Sequence, residues 1–182
     1  MFEVIIANDV YFYIYVFISL VVIAALIVFI ATFGLSFFTG APFAVTQPKR
    51  IKRIIEAINK YKKGIICADL GSGDGRIVIE LCKNGYQSYG YEINPFLYIL
   101  SKFKIRKAGL SKKAVICRKN YWKENLSKYD AIVLFGVFYI MEKMEKKLLS
   151  ELKPGAIVVC NYFKFPKWKP FRQEKGLIIY KK

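Results

Sequence analysis

The chain has 182 residues, room for one ordinary domain plus an appendage, and no histidine, which excludes any mechanism built on an imidazole base or a histidine metal ligand. It is 55% apolar and 16% aromatic yet carries a formal net charge of +17. Those properties separate along the chain: Val10 to Pro48 contains no charged residue, while all 30 Lys and Arg lie from Lys49 onward beside 11 acids, giving that part +19. Cys67, Cys82, Cys117 and Cys160 form no Cys-x-x-Cys pair and sit in apolar runs, so they read as buried thiols; no metal site is expected.

Residues 1–9 read as a short N-terminal flank and residues 10–38 as a transmembrane helix. About 20 apolar residues cross a bilayer core, and this stretch offers more, with Tyr11, Tyr13 and Tyr15 clustered where an interfacial aromatic belt belongs. A signal peptide would start basic and have a shorter apolar core. Lys49, Arg50, Lys52 and Arg53 after the span, against Glu3 and Asp9 before it, place the N-terminus outside and the body in the cytoplasm, or on the matrix side in a mitochondrion. The same cations suit anionic inner-leaflet lipid.

Residues 39–63 read as a Pro-bearing connector (Gly40–Pro48) and a basic amphipathic helix carrying Ile51, Ile54, Ile55 and Ile58. Residues 64–182 then alternate. Strands are expected at Ile65–Leu70, Ser88–Tyr91, Ala114–Cys117, Ala131–Phe135 and Ala156–Cys160. Helices are expected at Arg76–Cys82, Pro95–Lys107 and Tyr139–Leu152, and a hairpin from Lys169–Gln173 with Leu177–Tyr180. Apolar strands alternating with helices predict an α/β fold, a Rossmann-like doubly wound, mostly parallel sheet.

In such a sheet the ligand sits beyond the carboxyl ends of the strands. The first strand runs into Asp69-Leu70-Gly71-Ser72-Gly73-Asp74-Gly75 at the start of a helix, and the second ends at Glu92, 23 residues after Asp69. Glycines allow a sharp turn and a close backbone approach, the helix start offers free N–H groups, and an acid at the next strand end suits ribose hydroxyls. A dinucleotide fingerprint fails because Arg76 stands where its third glycine belongs, and the Gly-Lys-Ser/Thr of a P-loop is absent. A glycine turn without a ligand leaves Glu92 without a purpose.

This string with Glu92 resembles the class I S-adenosylmethionine-dependent methyltransferases. Four further strings narrow the resemblance: Pro42-Phe43-Ala44-Val45-Thr46, Lys119-Asn120-Tyr121-Trp122, Phe135-Gly136-Val137, and Tyr162-Phe163-Lys164-Phe165-Pro166-Lys167-Trp168-Lys169-Pro170. In this order they resemble the membrane-anchored protein lysine methyltransferases of the adenine nucleotide translocase and the ATP synthase c-subunit, with their prokaryotic relatives. The resemblance implies S-adenosyl-L-methionine as cofactor, held by Asp69, Gly71, Ser72, Gly73, Asp74, Gly75, Arg76, Glu92, Ile93, Asn94, Asn120 and Tyr121. Candidates for lining an aromatic acceptor channel are Phe43, Thr46, Phe135, Tyr139 and Tyr162. Asn120 replaces an acid of the family pattern, Tyr162 an Arg and Lys164 a Pro. The latter two bear on substrate identity, and Trp168 with its aromatic neighbours reads equally as packing.

The expected function is methylation of a lysine on a membrane or membrane-associated protein. No catalytic base is assigned, since burial of the amine in an aromatic channel lowers its pKa without one. The alternatives are a methyltransferase for a lipid or small amphiphile and a non-catalytic membrane adaptor. Nucleic acid is not the expected substrate, because Phe135-Gly136-Val137-Phe138 lacks the Pro-Pro-aromatic pattern of base-amine methyltransferases.

Overall fold

The structure, a computed structural model, describes residues 2–39, 45–61, 66–174 and 176–182. Phe43, with Pro42 and Ala44, lies outside the described residues, as do most of the connector and Ile65. Helix α1 (Phe2–Thr39) is continuous and begins well before Val10. Within it, residues 11–30 are long and apolar enough to cross a membrane, and none of them is buried against the protein.

Helix α2 (Pro48–Tyr61) starts earlier than its isoleucine spacing indicates. Proline is welcome at the first helical position, where its missing N–H would have had no partner. The alternating part is β1 (Ile66–Leu70), α3 (Arg76–Lys83), β2 (Gln87–Tyr91), α4 (Pro95–Lys107), β3 (Ala114–Cys117), a 3-10 turn (Tyr121–Lys123), β4 (Ala131–Phe135), α5 (Phe138–Glu151) and β5 (Ile157–Asn161). A hairpin of β6 (Arg172–Glu174) and β7 (Leu177–Lys181) completes it.

The sheet order is β3-β2-β1-β4-β5-β7-β6. The first five strands are parallel, and β7 inserts antiparallel beside β5 with Val159 opposite Ile179. The order reverses at β1/β4, so this is a doubly wound sheet with its switch point after β1. Side chains alternate between two apolar faces. Cys67, Ala131, Val133, Ile157 and Val159 meet Ile54 and Ile58 of α2 and Ile77 and Leu81 of α3. Ala68, Leu70, Ile132, Leu134, Val158 and Cys160 meet Met141, Met144 and Leu148 of α5. A smaller cluster of Val78, Cys82, Ile105, Ala114 and Ile116 seats α4 against β3.

Because the five central strands run the same way, the ends of β1, β2 and β3 and the segments after β4 and β5 all open on one edge. That edge carries the sequence-predicted site.

Candidate active site

Three left-handed glycines shape the turn after β1: Gly71 (φ 86°), Gly73 (φ 54°) and Gly75 (φ 78°). A side chain at Gly71 would enter open space, so the missing Cβ leaves a shelf above the strand ends. A Cβ at Gly75 would stand 2.9 Å from the Ser101 Cβ, so here glycine also allows α3 and α4 to approach. Gly71 and Ser72 both donate their N–H to the Tyr91 carbonyl (3.0 and 2.9 Å), tying the turn to the end of β2.

Glu92 stands directly after β2 and is almost fully buried. Its Oε2 accepts from the Gly73 N–H (2.8 Å) and its Oε1 from the Asn94 N–H (2.8 Å). Strand-end position alone predicts a ligand contact for Glu92; the structure shows that it also braces the glycine turn. Each oxygen retains a lone pair, so both remain acceptors. Burial raises its pKa, and the N–H donors of Asn94, Gly73 and Ile93 draw it back only in part.

Asp69 is buried at the centre of the same edge. Burial, then the neighbouring Glu92 and Asp74 carboxylates, lift its carboxyl well above the usual range. Asp74 is handled differently. Arg76 donates from Nε (2.8 Å) and Nη2 (2.7 Å) to its two oxygens, and the Lys104 Nζ reaches it at 2.5 Å. Burial pushes the Asp74 pKa up, but these partners outweigh it and hold it at about 2. The Arg76 Nη1 also donates to the Thr46 carbonyl (3.2 Å), fixing buried Thr46 at the rim. Asp74 and Arg76 therefore clamp α3, α4 and the end of the connector.

Asn94 caps α4, its side-chain oxygen accepting from the N–H groups of Phe96 and Leu97. Asn120 likewise caps the 3-10 turn through the Trp122 N–H (3.0 Å). Tyr121 follows; burial, with Tyr139 and Glu92 adding, pushes its phenol up to about 12. Ser72 points inward: a Cβ at Gly90 would lie 2.6 Å from its Oγ, which is buried without a hydrogen-bond partner. Ile93 is half-buried beside these groups.

On the other half of the edge Phe135 ends β4 and meets Tyr162 edge-on, with ring centres 5.7 Å apart. Tyr162 has φ 73°, unusual for a residue with a side chain. The Arg50 guanidinium lies 4.0 Å above its ring and also donates to Asn161 Oδ1 and to the Gly176 carbonyl (3.3 Å). Tyr139 is half-exposed and meets Phe138 edge-on at 5.4 Å. By contrast, Trp168 stacks on buried Phe165 and leans on Tyr180, so these two aromatics of the string after Tyr162 pack the core.

The edge thus gathers all twelve cofactor candidates and, of the channel candidates, Thr46, Phe135, Tyr139 and Tyr162. Sequence reasoning misses Arg50 and Lys104 as site-shaping residues: Arg50 reads only as one of the cations after the span, and Lys104 receives no role. A groove of about 460 Å³ between α2 and α3, lined by residues such as Ile55, Glu56, Asn59 and Glu80, includes none of these candidates. An open glycine shelf beside a buried acceptor pair fits a nucleoside with a short charged tail.

Residues 69–172 match the family described as the ANTKMT methyltransferase domain. The ATP synthase c-subunit lysine N-methyltransferase of Mus musculus is 37% identical over 129 residues, 71% of this chain and 51% of that protein. The chain thus spans about half the length of that relative. A protein-lysine N-methyltransferase of Saccharolobus islandicus is 33% identical over 138 residues, 75% of this chain and 85% of that protein. Among solved structures, an RNA methyltransferase from Salinibacter ruber in complex with S-adenosyl-L-homocysteine superposes with TM-score 0.69 at 26% identity, covering 75% of this chain and 91% of that one. The cofactor is S-adenosyl-L-methionine, and the chain belongs to the ANTKMT methyltransferase domain family.

Proposed function

We propose that this chain is a protein-lysine N-methyltransferase, anchored by α1, that modifies a lysine of a membrane protein close to the bilayer surface. The observation that carries the reading is the aromatic mouth of Phe135, Tyr139 and Tyr162 next to the braced glycine turn. The kinship with two lysine N-methyltransferases supports it. In this reading Gly71 to Gly75 and Asp69 take the amino-acid end of the cofactor, Glu92 its ribose, and Ile93, Asn120 and Tyr121 its adenine. Bound there, the cofactor supplies an electrophilic methyl group on a sulfonium.

The chain's own residues do the rest. The mouth strips water from the arriving lysine, and desolvation disfavours its ammonium form. Arg50, held on the Tyr162 ring, adds a like charge that disfavours the ammonium further. Once the amine has given its proton to solvent, its nitrogen lone pair is free for the methyl group that a cofactor held by the Gly71–Gly75 turn and Glu92 would supply, with S-adenosylhomocysteine as the leaving group. Positioning of this kind needs no dedicated base, in keeping with a chain without histidine.

Tyr11–Ile30 and the cations from Lys49 onward support a reading with one span, an outside N-terminus and a cytoplasmic or matrix domain. The test is transfer of labelled methyl from S-adenosylmethionine to native membranes by the full chain. Methyl-lysine in a membrane protein is expected. Label confined to lipid would replace this reading with methylation of an amphiphile.

A further inference from the structure

A helix packed on one side of a sheet normally turns its most polar residues away from the core. Helix α4 instead adds apolar side chains to its outward face. Its buried stripe is Leu97, Ser101 and Ile105. On the opposite pole stand Phe96, Ile99 and Phe103, exposed by 64%, 64% and 63%. At 100° per residue these three fall within roughly 60° of arc, so they form one continuous apolar ridge. Lys102, Arg106 and Lys107 are exposed on the ridge's flank and at its end.

The surrounding sequence has a matching charge. From Ile93 to Lys123 there is no Asp or Glu and there are nine Lys and Arg. Of these, Lys104 pairs with Asp74 and Lys119 with Glu124. An aromatic and aliphatic ridge fringed by long cations is the pattern of a helix lying in a membrane interface, its apolar side chains among the upper acyl carbons and its cations among headgroup phosphates.

We propose that the outward face of α4 is a lipid-contact surface that docks the domain flat on an anionic bilayer. The charge complementarity selects this occupant. A second copy of the chain docked on the same face would set Lys102, Arg106 and Lys107 against the same cations. A nucleic acid could stack bases on Phe96 and Phe103 but would leave Ile99, between them, uncovered, whereas acyl chains cover all three. α4 begins at Pro95, directly after the Asn94 that braces Glu92. Docking therefore fixes the height and tilt of the cofactor cradle above the lipid, which an anchor joined through a connector does not do alone. The inference rests on α4 and stands whether or not the acceptor is a lysine.

The test uses the full chain in lipid nanodiscs, with Phe103→Trp as the reporter and the wild-type chain supplying the background of Trp122 and Trp168. In discs containing phosphatidylglycerol the added indole should shift to the blue. Lipids brominated near the top of the acyl chain should quench it at least twofold. In pure phosphatidylcholine the quenching should be weaker. Adding Phe96→Ser and Ile99→Ser should remove at least half of the quenching while S-adenosylmethionine affinity stays unchanged, which shows the fold intact. Resistance of the same samples to carbonate extraction reports α1 separately, so loss of the anchor and loss of the α4 contact are distinguishable. An indole that stays water-exposed in carbonate-resistant samples overturns the proposal. So does a blue shift that grows with protein concentration in detergent, the signature of self-association, or one produced by added RNA and not by lipid.

Discussion

The two halves of the site are built from different materials. Around β1, β2 and β3 the working groups are backbone N–H groups and buried carboxylates, each fixed by several bonds: Gly73 to Glu92, Glu92 to Asn94, Asp74 to Arg76 and Lys104. Around β4 and β5 they are aromatic side chains, with Tyr139 and Tyr162 half or more exposed and held by ring contacts. In the first half, removing Glu92 leaves the Gly73 and Asn94 N–H groups without their partner, a penalty of roughly 1–3 kcal/mol per buried group. In the second half, exposed contacts of this kind contribute about 1 kcal/mol or less. A rigid cradle suits a cofactor that is the same in every turnover. An adaptable mouth suits the proposed acceptor, a lysine presented by another protein.

The largest expected effect breaks the cradle. Glu92→Ala removes two acceptors for the ligand and leaves the Gly73 and Asn94 N–H groups without their carboxylate. We expect S-adenosylmethionine affinity to fall by one to two decades, roughly 1.5–3 kcal/mol, by calorimetry. If affinity stayed constant while the Michaelis constant for the acceptor rose, the division into halves would be wrong. Next, Gly75→Ala places a Cβ 2.9 Å from the Ser101 Cβ at φ 78°. The strained backbone and the overpacking each cost about 1–3 kcal/mol, partly relieved together. Chemical denaturation should show a loss of that order.

The Asp74 clamp sharpens the comparison through pH. Its folded-state pKa of about 2 lies below the roughly 3.9 of an unfolded aspartate. Its contribution is therefore fully present above pH 3.9 or so, and is lost as pH falls toward 2. With Arg76 and Lys104 both partly exposed, about 1–2 kcal/mol is expected after screening. Asp74→Asn should remove that contribution at neutral pH and flatten the acid limb of a stability–pH curve. An unchanged acid limb would mean that the clamp does not hold α3 to α4.

These halves were unequally legible in the amino-acid order. Asp69 to Gly75 and Glu92 could be read because local rules fix them: a glycine turn at a strand end, an acid one crossover later. Pro95–Lys107, Ala114–Cys117 and Ala131–Phe135 were readable to the residue, since a proline start or flanking polar residues mark their ends. The end of β5 was not. Asn161 extends that strand because its backbone pairs with Phe135 of β4 and Leu177 of β7, while Arg50, 111 residues away, bonds its side-chain oxygen, and no local pattern announces such partners. β6 (Arg172–Glu174) has no apolar alternation and exists through its pairing with β7, so it was expected several residues early. Arg50 itself looked like one cation in a run flanking the span. Its contacts with Asn161 and Tyr162, in the proposed acceptor half, appear only when α2 meets the end of β5.

The smallest effect on stability is also the sharpest test of that half. Tyr162 sits at φ 73° with its ring under the Arg50 guanidinium and edge-on to Phe135. Tyr162→Gly relieves a left-handed backbone worth roughly 1–2 kcal/mol. It forfeits an exposed cation–π contact of about 0.5–1 kcal/mol and adds an unfolded-state entropy cost of about 0.5–1 kcal/mol. These nearly cancel, so the melting temperature should move by no more than a few degrees. Cofactor affinity should not change, because no bond of the Glu92 cradle passes through Tyr162. What should change is transfer: with Arg50 released and one wall of the mouth gone, the acceptor lysine is less desolvated and less confined, and its Michaelis constant should rise severalfold. The pH–rate profile should move with it. A lysine that meets less burial and less of the Arg50 charge keeps its proton to higher pH, so the rise in rate should shift to more alkaline pH. A Tyr162→Gly enzyme that kept the wild-type profile while losing S-adenosylmethionine affinity would place Tyr162 in the cradle and leave the mouth without a wall on the β5 side.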